Sequence, residues 1–471
     1  MTILSQLQNS GHGLPQLVQG FFKDDRLYRY LNVYPLKGLS EGSVICANRQ
    51  PERVPPVHRL PVELLAEVFR QYVQTVDHSR PSRSLCTQPH SQMTPFPLGQ
   101  VCYYWRSIVL AMGDLWQSLF ISPPKMEHIP SVEMWLSRAG EYPLSIWLFQ
   151  SQRPSDQELL ATDEILSLLV TRFHRWKEIT VQLSAVVHQA LLNLPHGAAV
   201  CLEAARMDVR DWDFTSADNL WRALHSSPRL CRPEWVNRYR NGPPNHAPWA
   251  QLTHITLAGL VSVDVVLNIL QYCTRAVNVT VPHLVSPRMP SQISPFVLTQ
   301  LRSICICTDT ELGSLFQNLI LPGLVSLDLT YRREAYDLSS SLHLADLLCR
   351  SRCRLRTLVL YAHTKKTITE YLRIPALETL IELRLDNQVS DETIRLFSKD
   401  SGAEQLLPRL QRMTLTCCAS DGTLSAMVVS RLPTLQTIRV ALCRNTHSYC
   451  RDLAILYNMQ KNGYDIEVDV L

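Results

Sequence analysis

Long apolar runs are missing from this chain: no stretch approaches the roughly 18 uninterrupted apolar residues of a membrane-spanning helix. The first residues lack the basic segment and apolar core of a secretory leader. A membrane partner is therefore not expected, and an intracellular setting, cytoplasmic or nuclear, is. An excess of one charge is missing too, since 46 Lys and Arg stand against 42 Asp and Glu, a net charge of +4. No run of Lys or Arg forms a basic stripe, so nucleic acid is not an expected partner. The 14 cysteines include no C-x-x-C pair: Cys417 and Cys418 are adjacent, one residue separates Cys305 from Cys307, and three separate Cys349 from Cys353. Such spacing suits no zinc ribbon or finger, and no metal site is expected. Most of the thiols are read as reduced, buried small hydrophobes.

Catalytic motifs are lacking as well. There is no G-x-x-x-x-G-K-[ST] loop, no G-x-G-x-x-G, no H-E-x-x-H and no G-x-S-x-G elbow. The 15 histidines are scattered, and single ones such as His254 and His343 read as exposed polar residues. Neither a catalytic residue nor a cofactor is expected.

What the chain does have is enough apolar material to fold. Its 471 residues are 46% hydrophobic and 19% charged, a globular balance too long for one compact core. Within residues 57–121, Pro61 stands where a first helical turn tolerates a missing N–H, and Leu64, Leu65, Val68, Phe69 and Tyr72 follow at helical spacing. A second stripe comprises Leu98, Val101, Cys102, Trp105, Ile108 and Val109. Gly113-Asp114 ends it, and a short turn with Leu115 and Trp116 leads to the alternating Leu119 and Ile121. Between the stripes, residues 74–97 are rich in Ser, Pro and His and read as an inserted loop.

The order Leu60-Pro61, Glu63-Leu64-Leu65, Val68-Phe69, Val101-Cys102, Trp105-Arg106, Leu115-Trp116 resembles an F-box, and the chain is most similar to the large F-box family of mushroom-type (basidiomycete) fungi. Only the long loop between the helices departs from the usual short connection. The resemblance implies docking to a Skp-type adaptor and, through it, to a cullin. It nominates Leu60, Pro61, Leu64, Leu65, Val68, Phe69, Val101, Cys102, Trp105, Leu115 and Trp116 as docking residues. Each of these competes with a role in the core of a small helical unit.

Downstream, an apolar triplet at relative positions 0, 3 and 5 recurs, as in leucine-rich repeats. Its clear copies start at Leu252, Ala276, Leu301, Leu324, Leu355, Leu380, Leu410 and Leu435, with steps of 24, 25, 23, 31, 25, 30 and 25 residues. Looser copies are read from Pro143, Trp176, Gly197 and Leu230. Helical stripes alternate with the triplets, for example Val265, Val266, Ile269, Leu270 and Cys273, or Leu424, Met427 and Val428. Another, Val132, Trp135, Leu136 and Ala139, precedes the first copy. The expected fold class is α/β: a small three-helix F-box, then a leucine-rich-repeat-like solenoid of alternating strands and helices. A doubly wound sheet is the competing reading. The expected organisation is a tail over 1–56, the F-box over 57–121, and the solenoid over 122–471, degenerate before 252.

If positions 0, 3 and 5 point inward, positions 2, 4 and 6 face the concave side. That assignment places Asp328, Thr330, Thr357, Tyr361, Glu382, Arg384, Asp386, Arg412, Thr414 and Arg439 on one face, with Cys305 and Cys307. Both charge signs and a tyrosine suit a protein target. The expected function is a non-catalytic, substrate-recruiting subunit of a Skp-cullin-F-box ubiquitin ligase. A scaffold or localisation protein acting outside a ligase is the alternative.

Overall fold

The computed structural model describes residues 56–74, 94–209, 211–236, 244–257, 259–287, 294–332, 339–361, 365–389, 391–398, 406–417, 420–442 and 449–470, some of them by backbone alone. The expected tail up to residue 55 and most of the inserted loop, 75–93, lie outside the described residues. Two compact units divide the chain, Met1–Pro61 and Val62–Leu471. Of the first, a 3-10 turn over Pro56–Arg59 is described, closed by the Leu60 N–H donating to the Val57 carbonyl at 3.3 Å.

The second unit opens with three helices: α1 (Val62–Gln74), α2 (Pro95–Val101) and α3 (Tyr103–Ala111). Two expectations change here. The inserted loop ends before residue 97, because Pro95 begins α2, where a first-turn residue has no intrahelical partner for an N–H. The second stripe is also broken into two helices. Cys102 adopts an extended conformation (φ −161°, ψ 171°) and its Sγ accepts the Trp105 N–H at 3.4 Å, capping α3.

Then follow the strands of a mixed α/β structure. In chain order they are β1 (Ser118–Ile121), β2 (Leu144–Phe149), β3 (Trp176–Gln182), β4 (Ala204–Asp208), β5 (Arg232–Val236), β6 (His254–Thr256), β7 (Val261–Ser262) and β8 (Asn278–Val285). Next come β9 (Phe296–Val297), β10 (Ser303–Thr308), β11 (Leu319–Ile320), β12 (Ser326–Tyr331) and β13 (Thr357–Tyr361). Last are β14 (Glu382–Val389), β15 (Arg412–Cys417), β16 (Thr437–Leu442) and β17 (Asp465–Val470). All but β9 and β11, which pair with each other, belong to one sheet, and its spatial order follows the chain order. Every described pairing is parallel, and β7 joins only β8, off the main path. A doubly wound sheet would reverse its order partway, and this one does not.

Parallel neighbours need crossovers, and helices supply most of them. They are α4 (Ile129–Arg138), α5 (Asp156–Val170), α6 (Gln189–Leu192), α7 (Phe214–His225), α8 (Val263–Leu270), α9 (Gly313–Gln317) and α10 (Ser339–Ser351). Then come α11 (Lys365–Leu372), α12 (Asp391–Arg395), α13 (Thr423–Arg431) and α14 (Cys450–Lys461). Ser155 and Asp213 cap α5 and α7 with side-chain oxygens, as N-cap residues do. Carboxylates also tie one crossover to the next: Asp421 accepts the N–H groups of Arg451 and Asp452 at 3.0 Å, which anchors the start of α14. No helix among the described residues is long and apolar enough to cross a membrane.

All three triplet positions are buried in each of the eight regular copies, from Leu252, Ile255 and Leu257 to Leu435, Ile438 and Val440. The copy read from Gly197 is out of register. Its position 3, Val200, is 51% exposed, whereas Leu202, just before β4, and Ala205 and Met207 within it are buried. The small Ala205 hid the correct frame. Two further copies emerge at the ends. Trp116, Leu119 and Ile121 form the inward triplet of β1; Gly463, Ile466 and Val468 occupy the same positions at β17. Gly463 has φ 90° and closes α14 in a Schellman turn, with the Tyr464 N–H reaching the Met459 carbonyl at 3.2 Å. Buried side chains from Leu65 to Ile466 make one continuous core, so the helices before residue 121 and the strands after it share their packing.

Beside that core, α7 carries a buried polar chain. The Trp235 indole N–H can only donate, so Nε2 of His225 accepts it at 3.1 Å and Nδ1 must hold the His225 proton. Nδ1 then donates to Nδ1 of His246 at 2.8 Å, and Nε2 of His246 donates to Asp218 at 2.9 Å, which also pairs with Arg222 at 2.8 Å. Burial, and next the neighbouring His246, push His225 down to about 3. The unfolded chain takes up that proton near pH 6.5 while the folded chain does not, so stability is complete above 6.5 and falls as pH drops toward 3. The expected result is a loss of about 2 kcal/mol between pH 7 and pH 5 in urea titrations, absent in His225→Asn. A wild-type stability flat over that interval contradicts the neutral pairing.

Candidate functional site

Helix periodicity sorts the docking candidates into two groups. On α1, Leu64 and Val68 lie four residues apart on one outward stripe, 55% and 47% exposed, while Leu65 and Phe69 lie one step round the helix and are buried. Val101, at the end of α2, is 56% exposed. Cys102 and Trp105 are half-buried: Cys102 is spent on capping α3, and the Trp105 ring packs on Phe69 with centroids 4.9 Å apart. Leu115 and Trp116 are buried. Leu60 and Pro61, in the preceding unit, are exposed.

Leu65, Phe69, Leu115 and Trp116 are therefore corrected from surface to core. Trp116 illustrates the reason. Its indole N–H donates to the Val109 carbonyl at 2.9 Å, its ring meets Trp135 at 4.7 Å and Phe96 at 5.4 Å edge-on, and the Arg138 guanidinium sits 4.6 Å over it. No part of that side chain is left to offer a partner. The spacing missed a better candidate, Tyr103, which is 83% exposed at the first turn of α3. It lies off the apolar stripe, and an aromatic outside its stripe was the available signal.

An ion pair ties α1 to the turn after α3, and a cleft lies beside it. Arg70 pairs with Asp114 at 2.6 Å and with Glu67 at 3.2 Å. A cleft of about 560 Å³ runs between Val62, Glu63 and Ala66 of α1 and Tyr104, Ser107 and Ile108 of α3.

The second candidate surface is the sheet face opposite the buried triplets, and strand register turns it into rows. One row runs Cys305, Asp328, Val359, Arg384, Thr414, Arg439, Glu467 across β10 and β12 to β17. Another runs Ser303, Ser326, Thr357, Glu382, Arg412, Thr437, Asp465. Cys307, Thr330 and the exposed Tyr361 align in a third. All the residues expected on this face whose side chains are described do lie on it; the Asp386 side chain lies outside the described set.

Several of its charges are paired with one another. Glu382 accepts from Arg384 Nε at 2.7 Å and from Arg412 Nη2 at 3.0 Å, and Arg439 pairs with Glu467 across β16 and β17. Against the burial that would raise it, the two guanidinium bonds hold the Glu382 carboxyl below its usual range. Asp328 goes the other way, raised by burial. Burial, and then the charge of Asp328, push the Cys305 thiol up to about 11, and burial raises Cys307 as well. Both thiols are protonated at neutral pH, poor nucleophiles and poor metal ligands in that state.

Further toward β1 the same face turns aromatic. Phe120 of β1 and Phe149 of β2 lie 5.3 Å apart, and Trp147 is half-buried on the row between Phe120 and Thr180. The middle carries two more ion pairs, Arg206 with Glu234 at 2.8 Å and Arg232 with Glu178 at 2.6 Å. Among the described residues no group of three or more His, Cys, Asp or Glu is placed to hold a metal ion. The sequence matches no family model and no curated protein.

Proposed function

We propose that this chain is an F-box-type adaptor subunit of a cullin-RING ubiquitin ligase, with α1–α3 as the helices that engage a Skp-type adaptor and the strand array as a leucine-rich-repeat-like solenoid that recruits a protein target. The observation that carries the reading is the outward apolar set Leu64, Val68 and Val101 on helices whose neighbouring stripe is fully used in the core. Core packing accounts for Leu65 and Phe69 but not for two branched aliphatics held in water one step round the same helix.

In this reading the chain performs no bond-breaking step. It holds a target lysine near the ubiquitin-charged conjugating enzyme, so the gain is one of proximity. The sheet face supports the recruiting half: an array of parallel strands presents one broad polar surface with aromatics at one end, a composition that fits a protein partner. Because its ion pairs are internal, a partner gains little from long-range attraction and most from shape and the aromatic end.

The test is capture of Skp-type adaptor and cullin by full-length chain. Leu64→Asp with Val68→Asp should reduce capture at least tenfold while shifting the thermal melt little, since both side chains are exposed. Wild-type chain that retains no adaptor sinks the ligase reading. Undiminished capture by the double variant moves the docking surface elsewhere.

A further inference from the structure

Several arginines of the sheet face and helices have acidic partners: Arg70 with Asp114, Arg206 with Glu234, Arg232 with Glu178, Arg384 and Arg412 with Glu382, Arg439 with Glu467. Three at one group of strand entries have none among the described residues. Arg354, Arg356 and Arg409 are exposed, make no ion pair or side-chain hydrogen bond among the described residues, and line a single open cavity of about 440 Å³. No carboxylate is among its lining residues. Glu378 precedes the lining residue Thr379 in the chain but is not itself part of the wall.

The cavity is built by the repeat. It lies where the chain enters β13, β14 and β15, at positions −1 and 1 of successive triplets. Position −1 places Arg354, Thr379, Arg409 and Thr434 in consecutive units; position 1 places Arg356 and Gln411 immediately before the strands that flank β14. Backbone bonds fix those entries: the Ile381 N–H donates to the Arg356 carbonyl at 2.8 Å and the Gln411 N–H to the Ile381 carbonyl at 2.9 Å. The arginine side chains are thus carried on a rigid edge. The Thr379 hydroxyl is committed to the Leu355 carbonyl at 2.9 Å, which leaves the guanidinium groups, the Gln411 amide and the Thr434 hydroxyl as donors.

Three permanent cations gathered without a counter-charge repel one another, and an entering oxyanion relieves that repulsion. Guanidinium forks match the tetrahedral oxygens of phosphate, and charge-assisted bonds of this kind are the strong ones. We propose that this cavity is a binding site for a phosphate monoester, held by Arg354, Arg356 and Arg409. The site is separate from α1–α3 and from the open sheet face, and it stands whether or not the chain serves a ligase.

The test uses full-length chain and phenyl phosphate, with benzenesulfonate as the singly charged analogue, followed by calorimetry and thermal shift. Phenyl phosphate should bind saturably and raise the melting temperature, and more weakly bound benzenesulfonate should raise it less. Arg356→Gln with Arg409→Gln should weaken phenyl phosphate binding at least about tenfold. The variant should melt no lower than wild type at low salt, since it loses repulsion and no ion pair; should it fail to fold, Arg354→Gln alone carries the same expected weakening. Arg384→Gln with Arg412→Gln, on the sheet face, should leave binding intact. A phosphoserine peptide binding at least tenfold tighter than phenyl phosphate assigns the monoester to a phosphorylated protein, and equal affinity assigns it to a small free phosphate. Equal binding by wild type and cavity variant overturns the proposal. So does a single-stranded oligonucleotide that binds tighter than either phosphate probe, with a steep salt slope.

Discussion

Replacing Arg431 by methionine should lower the unfolding free energy by roughly 3–5 kcal/mol, a large share of the roughly 5–15 kcal/mol typical of a folded domain. The side chain is fully buried in α13, inside the core between Met427 and Leu435. Its guanidinium donates to the Phe397 carbonyl at 2.5 Å, to the Leu407 carbonyl at 2.8 Å and to the Leu406 carbonyl, and it lies 5.9 Å from the Phe397 ring. Those carbonyls belong to the segments on either side of residues 399–405, so one side chain pins both flanks of that crossover. Burial pulls the arginine down to about 10, which still leaves it charged at neutral pH. Methionine fills similar volume but takes this donor from the Phe397 and Leu406 carbonyls and leaves the Leu407 carbonyl only the Leu410 N–H at 3.2 Å, each lost bond costing about 1–3 kcal/mol. Lysine should recover less than half of the loss, because a point ammonium cannot span the fork. Urea denaturation of the three chains measures this; a methionine variant within about 1 kcal/mol of wild type would show that the carbonyls find other donors.

Trp116→Ala is the second large effect, expected at about 3–5 kcal/mol. The ring is shared between two structures, standing after α3 yet filling the inward position of the first strand triplet with Leu119 and Ile121. Its removal opens a cavity bounded by Phe96 and Trp135 and takes the indole donor from the Val109 carbonyl, leaving it only the Met112 N–H at 3.4 Å. Leu64→Ala, on the exposed stripe of α1, should change stability by no more than about 0.5 kcal/mol. On the proposed reading, comparing the two separates folding from docking: loss of adaptor capture by the tryptophan variant should track its melt, and loss by the leucine variant should not. Equal melts for both would mean that Trp116 is not the joint between helices and array.

The parallel array was legible because a triplet in which every third and fifth residue must be apolar leaves a period that survives drift, and all eight regular copies keep it. Legibility failed where a small residue stood at a triplet position. Ala205 shifted one frame, and Gly463, chosen for its left-handed backbone, concealed the last copy. The candidate docking set was legible only as a list of residue types. Residue type cannot say which side of a stripe a leucine occupies, and Leu64 and Leu65 differ by one step around a helix yet face water and core. Arg431 was unreadable for a related reason: an arginine in sequence looks like surface, and only the three carbonyls around it show otherwise. The arginine cavity escaped notice because its members are scattered over 56 residues of chain, from Arg354 to Arg409, and the balanced total charge hides a local excess.

Because strands enter the sheet in the order in which they occur in the chain, closing any pairing requires a loop of only one repeat. Loop-closure entropy is then never large, despite the length of the polypeptide. Folding can start at any well-packed pair of neighbours and spread in both directions, as in a one-dimensional lattice, in place of waiting for distant segments to meet. The segment from β12 to β14, where Leu327, Leu329, Leu358, Leu360, Leu383 and Leu385 stack as an unbroken leucine ladder, is the natural place for that start.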